Sequence, residues 1–349
     1  MRHPVLLQLL FALSVCPGCV QDPTSAVPEI PLPSAKGVYV VNEGNFGRAN
    51  ASLSYFDLVS SRAYADVFSA VNGKNLGDVA AGMTIRGGRG YILVNNSQKI
   101  EVIDLASNIN LLTIPTGAGS SPRQMAFVND TLALVTDLYG DLVRRINPIT
   151  GIPGGTIPVG PNPEGIVLAA GRAYVANSGF GSGTSVSVIS LASLTVIGTI
   201  RVADNPVGMS VTPAGLVYVV CGGAYGDFAD PNDDTPAKIM VIDPAVDAVV
   251  DSLFIGGHAT AIAVGADGIG YIPGASEVFR IDTRIHAVTG RFVAGSYYGV
   301  GVDAASGDVY LSDPKSYVQP GSVSIFAPNG QLRRQFDCGL IPGSFAFKR

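Results

Sequence analysis

The sequence predicts an all-β, seven-bladed β-propeller with four antiparallel strands per blade, its ring closed by the C-terminal strand completing blade one. Three observations predict it. An apolar strand pattern occurs seven times, as VYVVN (38–42), YILVN (91–95), LALVT (132–136), AYVAN (173–177), VYVVC (217–221), GYIPG (270–274) and VYLSD (309–313). Another strand follows each one and ends in turn at Asp57, Asp104, Asn147, Ser190, Asp243, Asp282 and Ala327, at intervals of 39 to 53 residues, which is propeller periodicity. With 43 Gly, 23 Pro, 47% hydrophobic and only 14% charged residues in 349, the composition suits short strands and tight turns, and no long amphipathic helix is visible.

Taken in order, the chain opens with a leader. Arg2 and His3 precede the apolar run from Val5 to Val15, short for a membrane span and of the size of a signal-peptide core. The run ends in LSVCPGC, which places Cys16 and Cys19 where bacterial lipoproteins carry their acylated cysteine. Leu13 stands suitably before Cys16 but Val15 is bulky, whereas Gly18 supplies a small residue before Cys19. Residues 1–19 therefore read as a signal peptide with a lipoprotein-type cysteine, 20–36 as a Pro-rich tether, and 37–349 as the propeller. The expected address is the outer membrane or cell surface, with the periplasm as the alternative, and the anchor as the sole membrane contact.

Within the propeller, each unit opens with a short strand after a turn, as in SPRQMAF, NPEGIVL and NPVGMSV, and closes with one such as VIGTIRV. The first unit lacks its opening strand. PGSFAF (342–347) supplies it and leaves no open seam. The runs VYVV and YILV fit strands covered on both faces by neighbouring blades. Cys221 and Cys338 fall on different blades, so they read as packed free thiols. A formal net charge of −5 without a basic run argues against nucleic acid. Beyond the leader the only histidines are His258 and His286, which leaves no multi-histidine metal or haem site, and no cofactor is expected.

The units VSVISLASLTVIGTIRV, NPVGMSVTPAGLVYVV and IMVIDPAVDAVVDSL resemble the YVTN/YncE-like seven-bladed propellers, and the resemblance covers residues 37–348. The opening VNEGNFGRANASLSYFD (41–57) is similar to the first blade of YncE-like surface lipoproteins found with outer-membrane TonB-dependent transporters. One branch of that group, the BtuG-type proteins, captures cobalamin at the cell surface. The resemblance implies corrinoid capture and a TonB-dependent receptor as partner.

In a propeller, the loops joining second to third strands and those leading into the innermost strands emerge on one face. That face should carry Asn42, Glu43, Asn45 and Phe46 from blade one, Asn95 and Asn96 from blade two, and Asp137 and Tyr139 from blade three. Asn177 and Phe180 come from blade four, Tyr225 and Phe228 from blade five, Asp313 and Tyr317 from blade seven. Nearer the axis the lead-in turns align Arg123, Glu164, Thr260 and Tyr298, with Asn162, Asn205, His258 and Tyr297 beside them. Asn also serves hairpin turns by bonding its own backbone, so each amide has a structural reading beside the functional one. Amides and aromatic rings gathered on one face suit a bulky, largely neutral ligand; a phosphate would want more Arg and Lys.

The long blade-five loop (222–238) carries Asp227, Asp230, Asp233 and Asp234, whose spacing matches no EF-hand and reads as a solvated loop. GFGSG (179–183) reads as a hairpin, since no helix follows it as a phosphate cradle requires. The expected function is ligand binding without catalysis. The alternatives are a lyase or lactonase using Glu164 and His258 as an acid/base pair, and a protein-interaction propeller.

Overall fold

The computed structural model describes residues 35–227, 230 and 232–349. The signal peptide with Cys16 and Cys19, most of the tether, and Phe228 lie outside the described residues. Seven four-stranded antiparallel sheets follow one another, as the repeat requires. Their innermost strands are Ala80–Arg86, Pro122–Phe127, Pro163–Ala169, Pro206–Val211, Ala263–Val264 and Val300–Val302 for blades two to seven, and Pro342–Lys348 for blade one. That last strand pairs antiparallel with Gly37–Asn42, with Val38 opposite Phe347 and Val40 opposite Phe345, and closes the ring.

Blade one has an outer strand of only three residues, Arg62–Tyr64, followed by the helix Val67–Asn72. Asp66 caps that helix by accepting from the Ser69 N–H at 3.2 Å, and Gly73 ends it in the left-handed conformation. Val67 and Phe68 are buried beneath it.

The second strands are buried on both faces because alternate residues serve different neighbours. Tyr39 and Val41 pack with Ile92 and Val94 of blade two, whereas Val38 and Val40 pack with Tyr310 and Val323 of blade seven. Such a strand reads as a continuous apolar run although each face keeps a period of two. Several second-strand tyrosines also reach the hairpin between third and outer strands of the next blade. Tyr39 donates to Asn108 Oδ1 at 2.7 Å, Tyr174 to Asp247 Oδ1 at 2.5 Å and Tyr218 to the Thr283 carbonyl at 3.4 Å. Asn108 and Asp247 have φ of +59° and +50°, the left-handed position that Asn and Asp tolerate. Turn chemistry and blade-to-blade fastening therefore share the same residues. Cys221 and Cys338 are free and buried, and burial pushes both thiols up to about 12.

Around the axis, neighbouring inner strands approach so closely that a side chain has no room. A Cβ on Gly165 would collide with the Val207 carbonyl, and one on Gly208 with that of Thr260. Backbone bonds also put the two loop sets on one face, as expected. Asn96 N–H donates to Asp78 O (3.1 Å), Leu138 to Ser121 (2.9 Å), Ser178 to Asn162 (3.1 Å) and Gly222 to Asn205 (2.7 Å), each joining the end of a second strand to its own lead-in turn.

Candidate functional site

Six of the seven lead-in turns point a side chain at the axis, blade one supplying Gly343 instead, and these surround a cavity of about 540 Å³. Arg123, Glu164, Thr260 and Tyr298, aligned on the repeat alone, all line it, and so does Glu43. Two positions further along the inner strands, Met83, Met209, Ile262, Val300 and Phe345 form an apolar wall that sequence reasoning missed. The strand period of two was the available signal: residues at i and i+2 face the same way. Gln124 also lines the cavity, and its Oε1 accepts the Ile166 N–H at 2.8 Å, bracing blade three against blade four.

The polar groups at the mouth form a linked quartet. Arg123 Nε donates to Glu164 Oε2 at 2.6 Å, and the Tyr298 hydroxyl donates to Glu43 Oε1 at 3.0 Å. Glu43 is fixed through its backbone: its N–H donates to Ile341 O at 2.8 Å, and its carbonyl accepts from Ala80 of blade two at 3.2 Å. Its side chain lies over Gly343, where a Cβ would collide with Oε1. Burial raises the Glu43 pKa above the usual carboxylate range; the Tyr298 bond and the Arg123 charge pull it down, Glu164 pushes it up, and the net is upward. For Tyr298, burial followed by the charge on Glu43 raises the phenol. Burial opposes the charge on Arg123, but Glu164 and then Glu43 outweigh it and hold the guanidinium charged.

A pH signature follows. Because folded Glu43 holds its proton to a higher pH than the unfolded chain does, stability falls as pH rises from the ordinary carboxylate range through the raised value. Glu43→Gln keeps an acceptor for Tyr298 but carries no charge. Its stability relative to wild type should therefore rise across that window and level off above it. Urea melts from about pH 4 to about pH 8 check this; parallel curves for the two proteins would show that Glu43 titrates normally.

Outside the quartet stands a rim of exposed aromatics. Phe46, Tyr139, Phe180, Tyr225 and Tyr317, from five blades, are between 49% and 70% exposed. Tyr139 and Phe180 face each other with ring centroids 6.0 Å apart, and Tyr317 meets Tyr298 edge-on at 6.0 Å. Asn45 Nδ2 donates to the Tyr317 carbonyl at 2.8 Å and ties the blade-one loop to blade seven. Phe180 and Tyr317 have φ of +51° and +62°, a left-handed backbone that costs a bulky residue on the order of 1–3 kcal/mol. Tyr317 keeps its contact with Tyr298, whereas Phe180, 66% exposed, gains little burial in return for its strain.

Several residues expected on this rim are elsewhere. Asn42 is buried and donates to Ser54 Oγ at 2.9 Å and Ser52 Oγ at 3.1 Å; Asn177 is buried and donates to Ser185 and Ser187 Oγ, both at 3.0 Å. Asn95 is buried against Ser121 Oγ at 2.7 Å. Asp137, fully buried, accepts from the Ser121 N–H and from Arg144 Nε, each at 2.7 Å. Asn42, Asn177 and Asp137 fasten strands within their blades, and Asn95 ties blade two to the lead-in turn of blade three. Tyr297 packs edge-on against Phe326 at 6.3 Å between blades six and seven. Asn162 and Asn205 hold left-handed turn positions, Asn96 donates to Asp78 at 2.6 Å, and half-buried Asp313 caps its own loop and pairs with Lys315 at 3.1 Å.

The acid/base pair of Glu164 and His258 is not formed. His258 bonds the Gly222 carbonyl at 3.0 Å and Asp234 at 3.2 Å, and stacks on Tyr225 at 3.8 Å. The long blade-five loop captures it, while Glu164 takes Arg123. In that loop Asp233 accepts the backbone N–H of Asp227, and Asp234 that of Gly226. Among the described residues no His, Cys, Asp and Glu are grouped to hold a metal ion.

The match to known proteins is found at the level of family and fold. A domain of unknown function, DUF5074, matches residues 36–317. The chain belongs to the DUF5074 family. No curated protein matches it. Among solved structures, a quinonprotein alcohol dehydrogenase-like protein from Bacteroides thetaiotaomicron is similar at TM-score 0.69, with 15% identity over 90% of this chain and 79% of that one. A functionally unknown protein from Desulfotomaculum acetoxidans gives 0.68, with 13% identity over 89% and 98%. Kuenenia stuttgartiensis hydrazine synthase gives 0.61, with 16% identity over 76% and 88%. At these identities the likeness is one of fold.

Proposed function

We propose that this DUF5074 chain is an exported, lipid-anchored capture protein that grips a bulky, largely neutral ligand on its aromatic rim and passes it to an outer-membrane TonB-dependent transporter. The observation that supports this reading best is the rim itself: exposed rings from five blades, two of them on strained backbone, around the mouth of a cavity. Rings of this kind supply area at low entropic cost. The quartet beneath them both donates and accepts, which suits a ligand bearing amides or hydroxyls, and a corrinoid with its amide-fringed ring is the sharpest candidate. The role proposed is binding, and the one acid/base pair read from the sequence is not assembled, with His258 held by Asp234 and Glu164 by Arg123.

The propeller from Ala35 onward, which holds every core cluster, should bind cobalamin or cobinamide saturably in spectral titration. Each neutral hydrogen bond contributes only about 0.5–1.5 kcal/mol, so affinity has to come from many contacts and should change little with salt. Binding of a glycan panel instead would move the ligand class to sugars. Failure of the folded protein to bind any corrinoid ends that reading.

A further inference from the structure

Away from the axial mouth, a groove of about 430 Å³ is lined by Arg280, Arg291, Phe292, Pro328 and Asn329. Arg280 lies on the third strand of blade six, Glu277–Asp282, and Arg291 and Phe292 on its outer strand, Ala287–Ala294. The register between these strands slips between Val278 and Phe279 and again between Arg280 and Ile281. Those slips break the strict alternation of faces, so arginines offset in the ladder share one groove. Pro328 and Asn329 come from the hairpin of blade seven that follows Phe326, and Gly330 in that hairpin sits so close to the Phe292 carbonyl that a Cβ would lie 3.2 Å from it.

The electrostatics of the groove are unbalanced. Among the described residues Arg280 and Arg291 form no ion pair, a state they share with Arg48, Arg62, Arg89, Arg145, Arg201 and Arg334; what marks these two is that they line one groove, where Arg280 feels the Asp282 charge without pairing with it. The closest carboxylate along the strand, Asp282, already gives Oδ1 to Arg284 Nε at 2.8 Å and Oδ2 to Arg284 Nη2 at 2.6 Å. Arg280 has the Tyr271 hydroxyl beside it, yet its Nε is buried with no hydrogen-bond partner. A buried donor left unpaired carries a free-energy cost and calls for an acceptor. Asn329 uses Oδ1 to accept the Gln331 N–H at 3.0 Å, which leaves its Nδ2 as a further donor. Phe292 and Pro328 make an apolar wall that limits screening by water.

We infer that this groove is an oxyanion site, in which Arg280 and Arg291 hold a phosphate or carboxylate group and Asn329 Nδ2 supplies a third donor. A guanidinium fork matches the oxygens of such a group in a way an ammonium does not. The same chemistry is offered by a free anion and by the phosphate of a lipid headgroup. The site is separate from the aromatic rim and does not depend on the ligand proposed there.

The test follows the arginine Nε–H resonances of the chain from Ala35 by NMR while inorganic phosphate, sulfate or acetate is added at constant ionic strength. Saturable movement of the Arg280 signal is expected, with affinity weakened about tenfold or more in Arg291→Gln. Arg291 is exposed and unpaired in any ion pair, so that variant should keep the wild-type fold, which its spectrum reports directly. Arg280→Lys, which keeps the charge but loses the fork, should also bind more weakly. Vesicles containing phosphatidylglycerol distinguish the sources: co-sedimentation of wild type but not Arg291→Gln assigns a lipid headgroup, and binding of phosphate without co-sedimentation assigns a free anion. No saturable response to any of the three anions, or equal affinity in wild type and Arg291→Gln, overturns the assignment.

Discussion

Deleting residues 342–349 is expected to leave a chain that aggregates or unfolds far below the wild-type melting temperature. The strand Pro342–Lys348 is the inner strand of blade one, and its loss would strip one whole edge of Gly37–Asn42, whose residues are all buried. An apolar edge with unpaired N–H and C=O groups is a template for pairing between chains. Packing is lost as well. Half-buried Phe345 and Phe347 lie 6.0 and 5.0 Å from the Tyr310 ring of blade seven, so the cut also opens the join between the first and last blades. Ser312 Oγ would lose the Pro342 carbonyl it donates to at 2.6 Å, and the Asp303 carboxylate would lose Arg349. Large losses of buried apolar contact cost about 2–5 kcal/mol per side chain, against a total stability of about 5–15 kcal/mol. Circular dichroism melts and size-exclusion chromatography decide it; a truncated protein that stays monomeric and melts like wild type would show that the ring does not depend on this strand.

The ring closure was legible in the sequence because it rests on counting: a first unit short of one strand and a last unit with one to spare. The axial residues Arg123, Glu164, Thr260 and Tyr298 were legible for the same reason, since a column in a repeat keeps its place relative to the axis. The rim amides were not. Asn42 and Asn45 are three residues apart, yet one is buried and the other bonds the neighbouring blade's loop. Which way a side chain turns at a strand end depends on its cross-strand partner. That partner was written in the chain: Asn42 precedes Ser52-Leu53-Ser54 and Asn177 precedes Ser185-Val186-Ser187, so an Asn closing one strand meets two hydroxyls opening the next. His258 was misplaced for a different reason. Its partner Asp234 sits in the long blade-five loop, whose path no repeat constrains.

That difference sets up a separation of roles between Asn177 and Phe180, which lie in the same loop region of blade four. Asn177→Ala should cost about 1–3 kcal/mol of stability, because it leaves the buried Ser187 hydroxyl and the half-buried Ser185 hydroxyl without their shared donor. Ligand affinity should not change, since the amide is fully buried. Phe180→Gly should do the reverse. The ring is 66% exposed and its backbone left-handed, so glycine removes strain and leaves stability unchanged or improved by up to about 1 kcal/mol. Affinity for the rim ligand should fall about tenfold, as loss of an aromatic anchor that the bound ligand covers commonly brings. Urea melts and a cobalamin titration on both variants give the four numbers needed. If Asn177→Ala weakens binding while leaving stability intact, the buried amide has been misassigned as structural. If Phe180→Gly binds as wild type does, the strained ring serves something other than the ligand and the capture site leaves this part of the rim.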